Sequence, residues 1–322
     1  MWEDERMTTI RYWTPLERAF ERMRRMLFEP FDLGLWLVVG FSAWLARLVD
    51  GSSAGGNFWG GDSNAGNGFG RGFDGSFETF IALTMVVMIA VIVLAVIVAL
   101  LWVSSRGKFM YLDNAVHARA QIVEPWNRFR SLGNSLFFWR LGFMLTWMAA
   151  IGLIVLVLVL PAAAFDFNEV AQALSFMAIA TGVILVALVA IAATYIGLFL
   201  DSFVVPIMYR YELRTTEAWK ALMPWMRARP GSFFLYGLFV LLLLVAFMIV
   251  SLPVCLVTCC GCIPYVGTVI LLPLLLTYRM FTIEWLAQFH PDFDLFAAAE
   301  AEAPIEEPSV EPEPYLPPPP IE

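Results

Sequence analysis
The stretch Thr79–Ser105, TFIALTMVVMIAVIVLAVIVALLWVSS, runs for 27 residues without a charge. As a helix it is about 40 Å long at roughly 1.5 Å per residue, against a bilayer hydrocarbon core of about 30 Å. Soluble helices are seldom apolar on every face for that distance. The stretch predicts a membrane span, and the rest of the chain has to be read around it.

Composition points the same way. Of 322 residues, 60% are hydrophobic and the mean hydropathy is +0.74; a soluble chain is about 45–50% apolar. Apolar stretches predict six spans, at about 33–49, 79–105, 141–159, 175–200, 232–252 and 265–285. The last two divide Gly231–Tyr278, 48 residues without a charge and too long for one crossing. Pro253, Gly261 and Pro264 mark the break, and Pro273 a kink. The expected fold class is all-α: a six-span transmembrane helical bundle with amphipathic interfacial helices on the cytoplasmic side.

Residues 1–30 form a cytoplasmic amphipathic segment. Thr14-Pro15-Leu16-Glu17 has the form of a capping box with proline at the first helical position. Leu16, Phe20, Met23 and Leu27 then recur at helical spacing, with Arg18, Arg22 and Arg25 on another face. This is the pattern of a helix lying in the membrane interface, or of an amphipathic helix packed on protein. Residues 31–289 are the six-span membrane domain, with a Gly-rich external loop at 51–77. Asp50, Asp62, Asp74 and Glu78 lie in or beside that loop and it has no Lys, which argues against a phosphate cradle. Residues 290–322 form an acidic, Pro-rich cytoplasmic tail whose composition favours disorder and polyproline II. It is either a solvated tail or a ligand for a proline-reading protein partner.

The net charge of −8 belongs to that tail, whose nine acids from Asp292 to Glu322 face no Lys or Arg; without them the chain is at +1. No concentrated basic patch of the kind nucleic acid requires is present. Cations cluster in three segments. Arg6, Arg11, Arg18, Arg22, Arg24 and Arg25 precede the first span. Arg106, Lys108, Arg119, Arg128, Arg130 and Arg140 lie between spans two and three. Arg210, Arg214, Lys220, Arg227 and Arg229 lie between spans four and five. With Arg279 the count is 18 on one side against Arg47 and Arg71 on the other. The positive-inside rule then places both termini in the cytoplasm, in a multi-pass protein of the cell membrane.

The chain repeats itself. Glu124-Pro125-Trp126 matches Glu217-Ala218-Trp219. Phe109 precedes the first Trp by 17 residues and Phe203 the second by 16; Pro161 follows by 35 and Pro253 by 34. Arg128 and Arg130 correspond to Arg227 and Arg229. Thr14–Phe41 is a looser third copy. The unit is span, interfacial helix, span. Trp126 and Trp219 are expected to anchor at the bilayer boundary, beside those arginines, in a cytoplasmic collar.

The second copy, FVVPIMYRYELRTTEAWKALMPWMRARPGSFFLYGLF (203–239), resembles a bacterial multi-span membrane domain. That domain accompanies some glycerophosphodiester phosphodiesterases and also stands alone. The resemblance covers about residues 100–290. It implies a six-span bundle in a cytoplasmic membrane and carries over no catalytic residue, because in those fusions the activity belongs to a separate soluble barrel with its own His and Glu motifs.

Chemistry-bearing residues are few. Cys255, Cys259, Cys260 and Cys262 lie together on the expected external side, open to three readings: unpaired thiols, a disulfide, or a soft-metal site, for which adjacent Cys259 and Cys260 are awkward ligands of one tetrahedral ion. His117 and His290 are far apart in sequence. No catalytic constellation and no cofactor motif is apparent. Asp201 and Arg279, near the inner ends of spans four and six, are expected to meet as an interfacial ion pair. The function expected is a non-enzymatic membrane scaffold or lipid-interacting component, with membrane lipids as partners. The alternative is a transporter or permease subunit for a small or lipidic solute.

Overall fold
A computed structural model describes residues 10–49, 77–159, 169–258 and 264–302, and among them regular structure is entirely helical. The helices are α1 (Trp13–Phe28), α2 (Leu33–Arg47), α3 (Phe77–Val116), α4 (Val123–Arg128) and α5 (Arg130–Ile154, continued by a π turn at Val155–Val159). Then come α6 (Glu169–Phe199), a π turn (Leu200–Val204), α7 (Val205–Tyr211), α8 (Thr215–Ala228) and α9 (Pro230–Thr258). The chain closes with α10 (Pro264–Ile270), α11 (Leu272–Ala287), a 3-10 turn (Pro291–Phe293) and α12 (Leu295–Glu302).

Among the described residues, four helices are long and apolar enough to cross a membrane: Thr84–Val116, Arg130–Leu158, Ser175–Tyr211 and Pro230–Leu252. The other two expected spans have a different form. The first is only 15 residues long, about 22 Å, short of the hydrocarbon core. The sixth is divided at Leu271 into pieces of 7 and 16 residues. The division falls two residues before Pro273, because proline has no N–H to give and crowds the preceding turn.

The hydrophobic core sits at one end of the molecule. It takes in Leu101–Val116 of α3, Phe129–Phe137, Phe199–Met208, Phe233–Val240 of α9 and most of α11. No core residue comes from 84–100, 141–158, 176–198 or 241–252. Those stretches instead expose Met88, Ile89, Val183, Ile184, Leu242 and Ile249, each more than half accessible. So much contiguous apolar surface, on helices whose backbone groups are satisfied internally, is what lipid requires. The protein is membrane-embedded.

The N-terminal hairpin caps this end. Helix α1 begins at Trp13, with no side-chain cap on Tyr12, so the expected capping box does not form. Pro15 fits because first-turn N–H groups lack helix partners in any case. Of the expected stripe on α1, Met23 and Leu27 join the common core together with Ala19 and Met26, Leu16 packs against it, and Phe20 is exposed. Trp36 Nε1 donates to the Leu27 carbonyl at 2.8 Å and ties α2 back to α1. Helix α2 ends beside α3, where Ser104 Oγ donates to the Ala46 carbonyl at 2.9 Å. A Cβ on Gly107 would stand 2.8 Å from Ala46 N, so only glycine permits this approach. Arg47, expected at the opposite side from the basic segments, therefore ends level with Lys108. At the other terminus the helical structure continues past His290: Phe293, Leu295 and Phe296 are buried. Residues 291–302 of the expected tail thus belong to the described fold, with three side chains in the core; 303–322, and the Gly-rich loop but for Phe77, lie outside the described residues.

Candidate functional site at the basic end of the helices
Three helices meet at the centre of the core, and each supplies a fully buried phenylalanine: Phe109 from α3, Phe203 from the π turn and Phe281 from α11. Just before each phenylalanine stands a charge: Lys108, Asp201 and Arg279. Lys108 Nζ meets the Asp201 carboxylate. Arg279 Nη1 donates to the backbone carbonyl of Asp201 at 2.6 Å. The expected ion pair thus takes another form, with a carbonyl as the arginine's acceptor and Lys108 as the carboxylate's partner.

The backbone explains why that carbonyl is available. In an α register it would receive the N–H of Val205, but Val205 donates to Leu200 across the π turn. In a π register it would receive the N–H of residue 206, which is proline and has none. Single π turns of this kind recur at functional sites. Ser202 Oγ and Tyr278 Oη lie 3.3 Å apart beside the junction. Tyr111 Oη and Arg279 Nε are buried there without a hydrogen-bond partner among the described residues.

One turn further on, Asp113 is wholly buried. Its carboxylate accepts from Arg119 Nη2 at 2.8 Å and from Tyr209 Oη at 2.8 Å. Burial works against the Arg119 charge, but the hydrogen bond and charge of Asp113 outweigh it and hold the guanidinium above the ordinary arginine range. Asn114 closes the turn, donating to the Gln121 carbonyl at 2.9 Å and accepting from Gln121 N–H at 3.1 Å. Ala118, with φ of 48°, takes the left-handed conformation that reverses the chain. This turn delivers α4.

The two copies of the repeat appear as two elbows, α4–α5 and α8–α9. Trp126 and Trp219 are half-buried on them, and Arg128, Arg130, Arg227 and Arg229 are exposed. Trp219 stacks on Trp139 of α5, with ring centroids 5.8 Å apart. Ser135 Oγ accepts from Thr215 N–H at 3.1 Å, joining the elbows. The structure thus groups the collar residues at the end that holds Lys108, Asp201 and Arg279. Helices α1 and α12 dock there too: Arg22 Nε bonds Glu284 at 2.8 Å, and its guanidinium lies 4.2 Å over the Phe296 ring.

Lys108 and Pro206 were not singled out from sequence. The signals were there: SSRGK interrupts an apolar run, and a proline follows Asp201 by five residues inside a helix. Cys259, Cys260 and Cys262 lie outside the described residues, as does the side chain of Cys255. His117 Nδ1 sits 3.4 Å from Asp113, and His290 has no part in the junction. Among the described residues no three His, Cys, Asp or Glu side chains gather as a metal would require.

Residues 13–290 match the model of a family of unknown function, DUF7544, and the chain belongs to that family. No curated protein and no solved structure matches it.

Proposed function
We propose that this chain is a non-catalytic membrane component whose basic end faces the cytoplasm and engages anionic lipid headgroups. The observation that carries the reading is the pair of elbows. Each sets exposed arginines (Arg128 and Arg130; Arg227 and Arg229) beside half-buried tryptophans, where long apolar helices begin. Indole rings favour the headgroup level, and each cation near an anionic surface contributes about 1 kcal/mol.

The test is native mass spectrometry of the full chain in detergent, with phosphatidylglycerol and phosphatidylcholine in competition. Preferential retention of phosphatidylglycerol, weakened by salt and by replacing Arg128, Arg130, Arg227 and Arg229 with Gln, supports the reading. Equal retention of the two lipids refutes it. Cysteines placed at 128 and 227 in a cysteine-free background should resist impermeant maleimide in intact cells; labelling from outside refutes the orientation.

A second reading, transport of a small or lipidic solute, draws on the buried charges at the three-helix junction. Solute or ion flux into proteoliposomes that is lost in Asp201→Asn would favour it over the first.

A further inference from the structure
The lipid-facing surface between α3 and α5 is not smooth. A shallow, open groove of about 630 Å³ lies on it, lined by Val91, Leu94, Ala95, Val98, Ala99 and Trp102 of α3 and at one end by Phe137 of α5. Ala95 and Ala99, one turn apart, are the small residues of its lining. The lining stretch of α3, from Val91 to Trp102, is about 16 Å long, half the roughly 30 Å hydrocarbon core. That is the depth of one leaflet.

One end of the groove is cationic. Arg106 follows Trp102 by one turn, its guanidinium 4.2 Å over the Trp102 ring and 5.4 Å from the Trp126 ring. Asn134 Oδ1 accepts from Arg106 Nη2 at 3.1 Å and from Trp102 Nε1 at 3.2 Å. Position 133 is glycine because a Cβ there would stand 2.7 Å from Arg106 Cγ. The stem passes over it and holds the guanidinium at the α4–α5 elbow. Arg106 Nε is buried with no hydrogen-bond partner among the described residues. Exposed Arg130 stands one turn before Asn134 on α5, on the same face of that helix, and adds a second positive charge to this end.

We infer that this groove is a site for one anionic glycerophospholipid, with an acyl chain over Ala95 and Ala99 and the phosphate between Arg106 and Arg130. The inference rests on the lipid reading above and localises it. The groove has the polarity of that ligand: apolar for the depth of a leaflet, then cationic at headgroup level. A phosphate there pairs with guanidinium groups that have no carboxylate partner among the described residues. A protein helix would fill the apolar length without answering the charge.

The test uses the full chain in detergent with phosphatidylglycerol, and with phosphatidylcholine of the same chains. Ala99→Phe fills the groove from its exposed side and leaves the core untouched. Arg106→Gln removes the charge. Leu242→Phe, on the lipid-facing surface of α9, is the control. One phosphatidylglycerol should remain bound per chain, and phosphatidylglycerol brominated in its acyl chains should quench the fluorescence difference between wild type and Trp102→Phe. Both effects should be lost in Ala99→Phe. In Arg106→Gln binding should weaken about fivefold, the factor for one cation at an anionic surface. Leu242→Phe should change neither. Retention and quenching unchanged in Ala99→Phe would mean annular lipid only, and equal retention of phosphatidylcholine would mean no headgroup site. A change of oligomeric state in Ala99→Phe would mean that a second copy covers the groove. Each of these overturns the inference. If phosphatidylglycerol is preferred overall but Ala99→Phe has no effect, the broader lipid reading survives and only this site falls.

Discussion

Replacing Arg279 with Met keeps the apolar stem and removes the guanidinium, which tests the three-helix junction most directly. The lost bond to the Asp201 carbonyl is charge-assisted and worth about 1.5–3 kcal/mol, and the carbonyl is then buried without a donor. Against this, methionine has no charge to desolvate, which offsets part of the loss. A net destabilisation of about 2 kcal/mol follows, or roughly 4–8 °C at about 2–4 °C per kcal/mol for large domains. A second substitution, Pro206→Ala, supplies the N–H that the π register lacks. An ordinary backbone bond is worth about 1 kcal/mol, so the double variant should recover roughly half of the loss. Alone, Pro206→Ala should do little, because Arg279 already occupies the carbonyl. Thermal unfolding in mild detergent, followed by circular dichroism, reads all four proteins. Additive effects of the two substitutions, or an Arg279→Met midpoint within about 1 °C of wild type, would refute the reasoning.

Other perturbations should act locally. Gly107→Val drives a side chain into Ala46 N and Leu45 C, at 2.8 and 2.9 Å from the Cβ; it should cost about 1–3 kcal/mol and make α1–α2 sensitive to protease. Tyr209→Phe removes one of the donors to buried Asp113 and should lower stability by about 1 kcal/mol in the same melts. Arg22→Ala strips Glu284 of its 2.8 Å partner and Phe296 of its cation. Amide exchange in residues 295–302 should then rise well before the rest of the chain loosens, whereas uniform exchange would argue that α12 is held by its apolar side chains alone.

The long apolar helices were legible because their signal is local: twenty or more uncharged residues need no partner to be recognised. The repeat was legible as well, since Trp126 and Trp219 with their arginines recur at fixed spacing and form two elbows. Packing was not. Whether α1 faced lipid or protein turned on α11, more than 250 residues away in sequence. The short α2 read as a span because it is apolar; it packs on α3 at Gly107 and, at Gly40, on Val269 of α10. At the junction, Asp201 and Arg279 stood out as charges near apolar runs. Their mode of contact depended on a helix register set by Val205 and Pro206, which pairing by charge alone does not register.

The distribution of the core leaves a mechanical asymmetry. Where the helices carry arginine and tryptophan they are bolted together by buried rings and charges. Beyond Leu101, Phe199 and Val240 the same rods place no fully buried side chain in the common interior, although Tyr195, Leu198, Leu243 and Phe247 still pack against its margin. The apolar surface open to hydrocarbon is therefore concentrated along one half of these helices. A thinner or thicker membrane would tilt the rods, as mismatched helices do, while the clasped end stays unmoved.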